Sequence, residues 1–386
     1  MQFLGYKRSE GRSGVRNLVL VLPTCGCASE TARIVANQVQ GTVNVIINTG
    51  CADVEANTEL TQRVLTGFAL NPNVFAVVII GLGCETVGHT ELRQKIQKET
   101  SKPVVSFGIQ QEGGTLKTAA KAVSAARELV AQASMQQRQW CDVSELLLGL
   151  ECGGSDATSG LAANPALGLC CDRLIDEGAS TMLSETIEFI GAEHILARRA
   201  INKEVHDQII GICKAYEEHL ASAGQSCRAG QPTPGNKEGG LSTLEEKSLG
   251  CIKKGGSRPI VEVLAEAVRP TKQGSLIMDT PGYDIASITS MVAGGCQLVA
   301  FTTGRGTPTG IALAPVLKIT GNRETYQHML DNMDTDVSGI IDGEYSLEDG
   351  ADRIYDDILS VCNGKLTKAE AFGFSDVCID HVCRFV

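Results

Sequence analysis

The chain has 386 residues, 43% hydrophobic and 20% charged, with a formal net charge of −11. That length supports a large core and about two or three domains, so disulfides are not needed for stability. An acidic chain with 4% aromatic residues lacks the basic, ring-rich surface that nucleic acid requires, and no apolar run reaches the roughly 18 residues of a membrane helix. The N-terminus MQFLGYKRSEGRSG has no apolar signal-peptide core, so a cytoplasmic location is expected.

In chain order, NLVLVLP (17–23) is an apolar run closed by Pro23 and predicts a strand. ASETARIVANQVQ (28–40) predicts a helix with Ser29 as its N-cap. Strands at 43–48, 74–80 and 103–108 alternate with helices at 54–70, 89–100 and 115–137. The pattern restarts with strands at 145–150, 180–185, 274–279 and 297–303. Runs that are apolar throughout suit strands covered on both faces. The expected fold class is α/β, with two doubly wound, mostly parallel, Rossmann-like sheets. The expected domains are 1–140 and 141–386, the second carrying a long Gly/Pro-rich loop at 224–256 and a C-terminal helical layer over 331–386.

Fifteen cysteines are many for a chain expected in a reducing compartment, where clustered thiols bind metal or do chemistry. Several follow predicted strands: Cys25 and Cys27 in TCGC, Cys51 in TGC, Cys84 in GLGCE, and Cys152 in ECGGSD. In one parallel sheet these loops share one rim, where ligands bind. Thiolates select soft metals, and no CxxC pair marks a closed zinc site in this region. These strand-end cysteines are therefore expected to hold iron, as Fe2+ or an iron–sulfur cluster, with Mn2+ a substitute for Fe2+; the resemblance described below narrows the set to Cys27, Cys51, Cys84 and Cys152. Cys141, Cys170, Cys171, Cys213, Cys227, Cys251, Cys296, Cys362, Cys378 and Cys383 lack such company and are expected to be structural.

Polar loops of the second half supply the remaining candidates. Glu185 and His194 lie in SETIEFIGAEH, Asp279 in MDTPGYD, Asn236 and Lys237 in PTPGNKEGG, and Thr303 and Arg305 in TTGRGTPTG. A Gly-flanked arginine with hydroxyls beside it suits a forked grip on a carboxylate. Glu185, His194, Asp279 and Lys237 are the catalytic candidates. Arg305, Thr303, Asn236, Ser155 and Asp156 are the substrate-binding candidates.

The blocks GYKRSEGRSGVRN, TGC, GLGCE, CGGSDATSGLAANPALG, ETIEFIGAEH, PGNKEGGLSTLEEKSLG, MDTPGYD, TTGRGTPTG and DNMDTDVSGIIDG, in this order, resemble the altronate/galactarate dehydratase family. The resemblance implies an iron-dependent hydro-lyase that converts a sugar acid to its 2-keto-3-deoxy product. Single-chain members carry a small domain before the first block, which starts here at residue 5. The resemblance thus implies a large subunit whose active site is completed by a separate small β-rich subunit, in a homo-oligomer. A split branch of the family removes sulfite from sulfolactate; Cys27, Cys51, Cys84 and Cys152 match the dehydratase side, and Cys25 matches neither clearly. A sulfite-releasing lyase is the first alternative, and a non-catalytic thiol or metal sensor the second. The sensor reading expects reversible thiol oxidation without turnover of any acid.

Overall fold

The computed structural model describes residues 1–382. Thirteen strands lie in this range: β1 Gln2–Gly5, β2 Leu18–Pro23, β3 Thr42–Asn44, β4 Val74–Gly81, β5 Val104–Gly108, β6 Gln139–Asp142, β7 Leu147–Cys152, β8 Ser180–Leu183, β9 Ile260–Leu264, β10 Ser275–Met278, β11 Leu298–Thr302, β12 Val316–Thr320 and β13 Thr335–Asp336. They form a four-stranded sheet in the order β3-β2-β4-β5 and a seven-stranded sheet in the order β13-β12-β11-β7-β8-β10-β9. All pairings within these two sheets are parallel, and β1 pairs with β6 antiparallel. The α/β class and the parallel sheets agree with the sequence pattern. Strands β9, β12 and β13, the β1–β6 pair and the helix Lys203–Ser222 are additional to it.

Two expectations are corrected. The helix predicted from residue 28 begins at Gly26 with Cys25 as its N-cap, and the Ser29 hydroxyl instead donates to Ile47 O at 3.0 Å. Cys152 does not share a rim with the other strand-end cysteines, because β7 belongs to the seven-stranded sheet. Two sheets are expected, but a shared rim assumes that the strand at 145–150 joins the first of them, and it builds the second. The region expected as a helical layer also contributes the edge strand β13, besides the helices Leu347–Cys362 and Lys368–Phe372. Cys383 lies outside the described residues. No helix among the described residues is long and apolar enough to cross a membrane.

Strand order places the two natural binding crevices. In parallel sheets, ligands bind beyond the carboxyl ends where successive crossovers diverge. That point lies between β2 and β4 in the smaller sheet and between β7 and β11 in the larger one.

The two sheets share one apolar layer, in which Leu20, Leu22, Val64 and Phe68 meet Met182, Leu276, Met291 and Phe301. Within it, the helix Glu55–Leu70 packs on the helix Asp284–Ala293. Their contact needs Gly67: a Cβ there would lie 2.3 Å from Ala293 O, a backbone atom that cannot step aside. Alanine favours a helix over glycine by about 1 kcal/mol, but overpacking costs about 1–3 kcal/mol. Gly67→Ala is therefore expected to destabilise the protein, read as a lower urea midpoint with an unchanged slope.

The first block, GYKRSEGRSGVRN, is structural. Arg8 donates to Pro72 O and Arg16 O, and Arg12 to Ser144 O and Leu146 O. Arg16 donates to Val15 O, Val361 O and Lys365 O and makes a forked pair with Glu370 at 2.6 and 2.9 Å. Planar guanidinium donors suit such stapling of carbonyls from distant segments.

Candidate active site at the carboxyl ends of β7 and β8

Strand β7 ends in Glu151 and Cys152, and β8 leads into Ser184 and Glu185. Glu185 adopts a left-handed backbone, φ 68°. Such a conformation is costly for a residue with a Cβ and marks functional sites. The short turn Thr186–Glu188 then brings Glu188 back under the strand end. Lys247 and Cys251 arrive on the helix Leu244–Cys251, Lys254 on the turn after it, and Asp284 opens the helix Asp284–Ala293.

The Lys254 ammonium is wholly buried, 3.0 Å from Cys152 Sγ, 3.0 Å from Glu188 Oε2 and 3.3 Å from Glu185 Oε2. Its three donors thus have three partners. Lys247 pairs with the other oxygen of Glu188 at 3.2 Å. The Cys152 thiol donates to Glu188 Oε2 at 2.9 Å and lies 3.4 Å from Cys251 Sγ. The Cys152 amide donates to Glu185 Oε2 at 3.0 Å.

Burial would raise the Glu188 carboxyl, but Lys254 and Lys247 outweigh it and hold the group at about 2. Burial, then the charge of Glu188, pushes Glu185 up to about 8. Burial and Glu185 drive Glu151 well above the carboxylate range. Burial and Glu188 lift Asp284 to about 6. Near neutral pH, Glu188 and Asp284 are therefore ionised against Lys254 and Lys247, while Glu185 retains its proton and Glu151 is pushed in the same direction. Neighbouring carboxyl groups pushed in opposite directions are the usual sign of divided acid and base roles.

Two groups have donor atoms close enough for a metal. Cys152, Glu188 and Cys251 form one, and Glu151, Glu185 and Asp284 the other; in each, one ligand atom per residue lies within 4.8 Å of the rest. Lys254 already supplies a cation to the first. In the second, Glu151 Oε2 accepts from Ser287 Oγ at 2.6 Å, but no N–H or hydroxyl donor reaches the buried Glu151 Oε1. Carboxylates facing one another without a donor between them require a shared proton or a cation. Three oxygen ligands suit Mg2+, Mn2+ or Fe2+.

A cavity of about 240 Å³ opens beside this group, lined by Ser155, Asp156, Asn164, Lys247, Cys251 and Lys253 among others. Ser155 Oγ lies 3.8 Å from Cys152 Sγ. Asp156 accepts hydrogen bonds from Thr158, Ser159 and Asn322, so it mainly braces the loop after β7. Asn236 is also a brace, donating to Ser155 O and completing a capping box with Thr233. Thr303 is buried and accepts from the Gly306 amide. Arg305 donates from its backbone to Gly154 O and pairs through its half-exposed guanidinium with Glu238 at 3.1 Å. The β7–β11 crevice therefore gathers Ser155, Asp156, Thr303 and Arg305.

The other candidates lie elsewhere. His194 and Lys237 are exposed and make none of the hydrogen bonds that tie the buried group together. Asp279 accepts from Thr186 Oγ1 at 2.5 Å and faces a second cavity, of about 500 Å³, with Tyr216, Glu266, Asp380 and His381. Cys27, Cys51 and Cys84 are exposed on the smaller sheet. Sequence reasoning missed Glu188, Lys247 and Lys254 and took Cys251 as structural. The available signal was ionisable residues in otherwise apolar or glycine-rich turns, as in ETIE and GCIKKGG.

Comparison with known proteins gives two matches to family models. D-galactarate/Altronate dehydratase, C-terminal, matches residues 143–384, and D-galactarate dehydratase/Altronate hydrolase, second domain, matches residues 5–134. The chain is 39% identical to the (2R)-sulfolactate sulfo-lyase subunit beta of Chromohalobacter salexigens, over 96% of this chain and 95% of that one. It is 33% identical to the altronate dehydratase of Bacillus subtilis, over 98% of this chain and 77% of that one. It is 38% identical to the galactarate dehydratase (L-threo-forming) of Escherichia coli, over 78% of this chain and 59% of that one.

Proposed function

Because the chain belongs to the D-galactarate/altronate dehydratase family, we propose that it is a lyase that removes water from a sugar acid of the altronate or galactarate type. The product is the 2-keto-3-deoxy acid, and a separate small subunit completes the site. The observation that carries this reading is the buried set Glu151, Glu185, Glu188 and Lys254 with the half-buried Asp284, joined through Lys247 and Cys251 to a small cavity. Elimination next to a carboxylate needs a base for the C2 proton, positive charge for the enolate and a proton for the leaving oxygen.

Lys247, on the cavity wall, pairs with the substrate carboxylate. Asp284 is the least buried of the facing carboxylates. With a pKa raised to about 6, it is ionised at neutral pH and accepts the C2 proton. Lys254 Nζ holds a proton close to the reacting centre and, with Glu188 fixing it, offers fixed positive charge to the enolate. Glu151 and Glu185, on releasing their protons, would hold a divalent cation such as Fe2+ or Mn2+, which would supply Lewis-acid polarisation of the carboxylate and the leaving oxygen. The small cavity limits the water that can enter with the substrate.

A second reading is favoured by one observation. The sulfo-lyase subunit is matched over nearly its whole length, whereas the altronate dehydratase is longer than the match. Loss of sulfite from a sulfolactate uses the same α-proton abstraction. The test is a substrate panel of aldonates, aldarates and (2R)-sulfolactate, run with Fe2+ and the small subunit. A 2-keto-3-deoxy acid supports the dehydratase, sulfite with pyruvate supports the second reading, and no turnover of any acid opposes both.

A further inference from the structure

We propose that Asp279 and Thr280, acting with Thr186, are positioning residues that lock Glu185 into its left-handed backbone and so aim its carboxyl at the Cys152 amide and Lys254. The effect on turnover rests on the lyase reading; the lock itself does not.

Glu185 needs such a lock. Its φ of 68° and ψ of 70° put a residue with a Cβ where the crowding of Cβ against carbonyl oxygen favours glycine. Without restraint the chain would return to negative φ and carry the carboxyl elsewhere. A strained residue persists only where its surroundings over-determine it. In the strained conformation Glu185 Oε2 meets the Cys152 amide at 3.0 Å and Lys254 Nζ at 3.3 Å.

The restraint comes from the loop after β10. The Glu185 amide donates to Thr280 Oγ1 at 2.8 Å, and the Thr186 amide donates to Thr280 O at 3.1 Å. These two amides belong to the peptide planes on either side of the Glu185 Cα, so one residue fixes both φ and ψ. The Thr186 hydroxyl donates to Asp279 Oδ1 at 2.5 Å, and the Asp279 amide is anchored on Leu264 O at 2.8 Å, at the end of β9. A Cβ on Gly282 would lie 2.2 Å from Ile187 Cγ2, so the rest of the loop sits against the same turn. Thr186 and Thr280 are buried, and a donor that loses its partner there has no water to replace it.

Asp279 stands apart from the reacting groups. It is outside both sets of residues whose donor atoms could share a cation. Its open side faces the second cavity, of about 500 Å³, rather than the one lined by Lys247. Thr186 requires only an acceptor oxygen from it, which an amide supplies as well as a carboxylate. The same loop then delivers Asp284, which has a carboxylate oxygen within 4.8 Å of Glu151 and Glu185. One loop thus places two of the three facing carboxyl groups.

The test compares two pairs of variants in the full chain. Thr280→Val and Asp279→Leu remove the acceptors; Thr280→Ser and Asp279→Asn keep them. Amide hydrogen exchange is read by mass spectrometry without substrate. Residues 184–188 should exchange about tenfold faster in the first pair, the size of one lost hydrogen bond, with the rest of the chain unchanged. The second pair should exchange like wild type. On the accepted acid, the first pair should lose about 10- to 100-fold in kcat with KM within about twofold, as expected for a misplaced group. The second pair should keep most of the rate. Unchanged exchange in Thr280→Val, or a rise spread over the whole chain, overturns the proposal. Loss of turnover in Asp279→Asn with 184–188 still protected also overturns it, because Asp279 would then act through its charge. If the wild-type protein turns over no acid, the lyase reading fails and the exchange data alone decide the lock.

Discussion

Lys254→Met is expected to lower stability by about 3–5 kcal/mol, the range found when one partner of a buried ion pair is removed. Lys254 is fully buried, and the carboxylate of Glu188 stays ionised inside the protein because Lys254 and Lys247 face it. Without Lys254, Glu188 keeps Lys247 at 3.2 Å as its remaining charged partner beside the Cys152 thiol, and the Cys152 amide acceptor Glu185 loses its ammonium. Methionine fills the space but supplies no donor. The double variant Lys254→Met/Glu188→Gln removes both charges, and it should recover much of the loss. Urea unfolding of the two single variants and the double variant reads this coupling. A single-variant loss below about 1 kcal/mol would show that the ammonium is not held as described. Catalysis should fall with Lys254→Met even where the protein remains folded, because the enolate loses a fixed charge.

Asp284→Asn is expected to cut kcat by about 100- to 10,000-fold, the usual contribution of a positioned base. The sign of the pH effect follows from its raised pKa. A base must be ionised to accept a proton, so the wild-type rate falls as pH drops through the pKa of this group, which burial and Glu188 lift to about 6 and a cation on Glu151 and Glu185 would lower. The residual rate of Asp284→Asn should lack that acid limb. KM should change little, because Lys247 and the loop after β7 carry substrate binding in this scheme. The pH profile of kcat/KM on the accepted substrate reads both outcomes. An unchanged acid limb in the variant would assign the titration to another group.

Much of the architecture was legible in residue order. The apolar runs that became β2, β4, β5, β7, β8, β10 and β11 are bounded by glycine, proline or polar turns, and they lie within two residues of the predicted limits. The two-residue β13 is too short for a periodic signal, Lys318 interrupts the apolar run of β12, and the β1–β6 pair joins segments more than 130 residues apart. The helix Lys203–Ser222 is amphipathic, with Val205, Ile209 and Cys213 on its buried side; its polar majority hid that pattern among the surrounding loops.

The candidate site was legible only in part. Glu185 and Cys152 were visible as polar residues at strand ends, and both lie in the buried group. Glu188 and Lys254 were not visible, since one is a second carboxylate in a short turn and the other a lysine among glycines. Their meaning depends on being buried together, and burial of an ionisable group is not a local property of its neighbours in sequence.

By itself the sequence determined the family, the α/β class, the parallel sheets and the loops in which chemistry would be found. These follow from local signals, namely apolar periodicity, turn residues and ordered motif blocks. The division into two sheets follows the restart of the pattern near residue 141, but only the tertiary structure decided which loops meet, because a strand end does not show its neighbours before pairing. That division separates Cys152 from Cys27, Cys51 and Cys84. It brings Glu151, Glu185, Lys254 and Asp284, which span more than 130 residues of chain, into one group. Strand order and close packing are long-range outcomes of burying both faces of each sheet, and they set which charges meet.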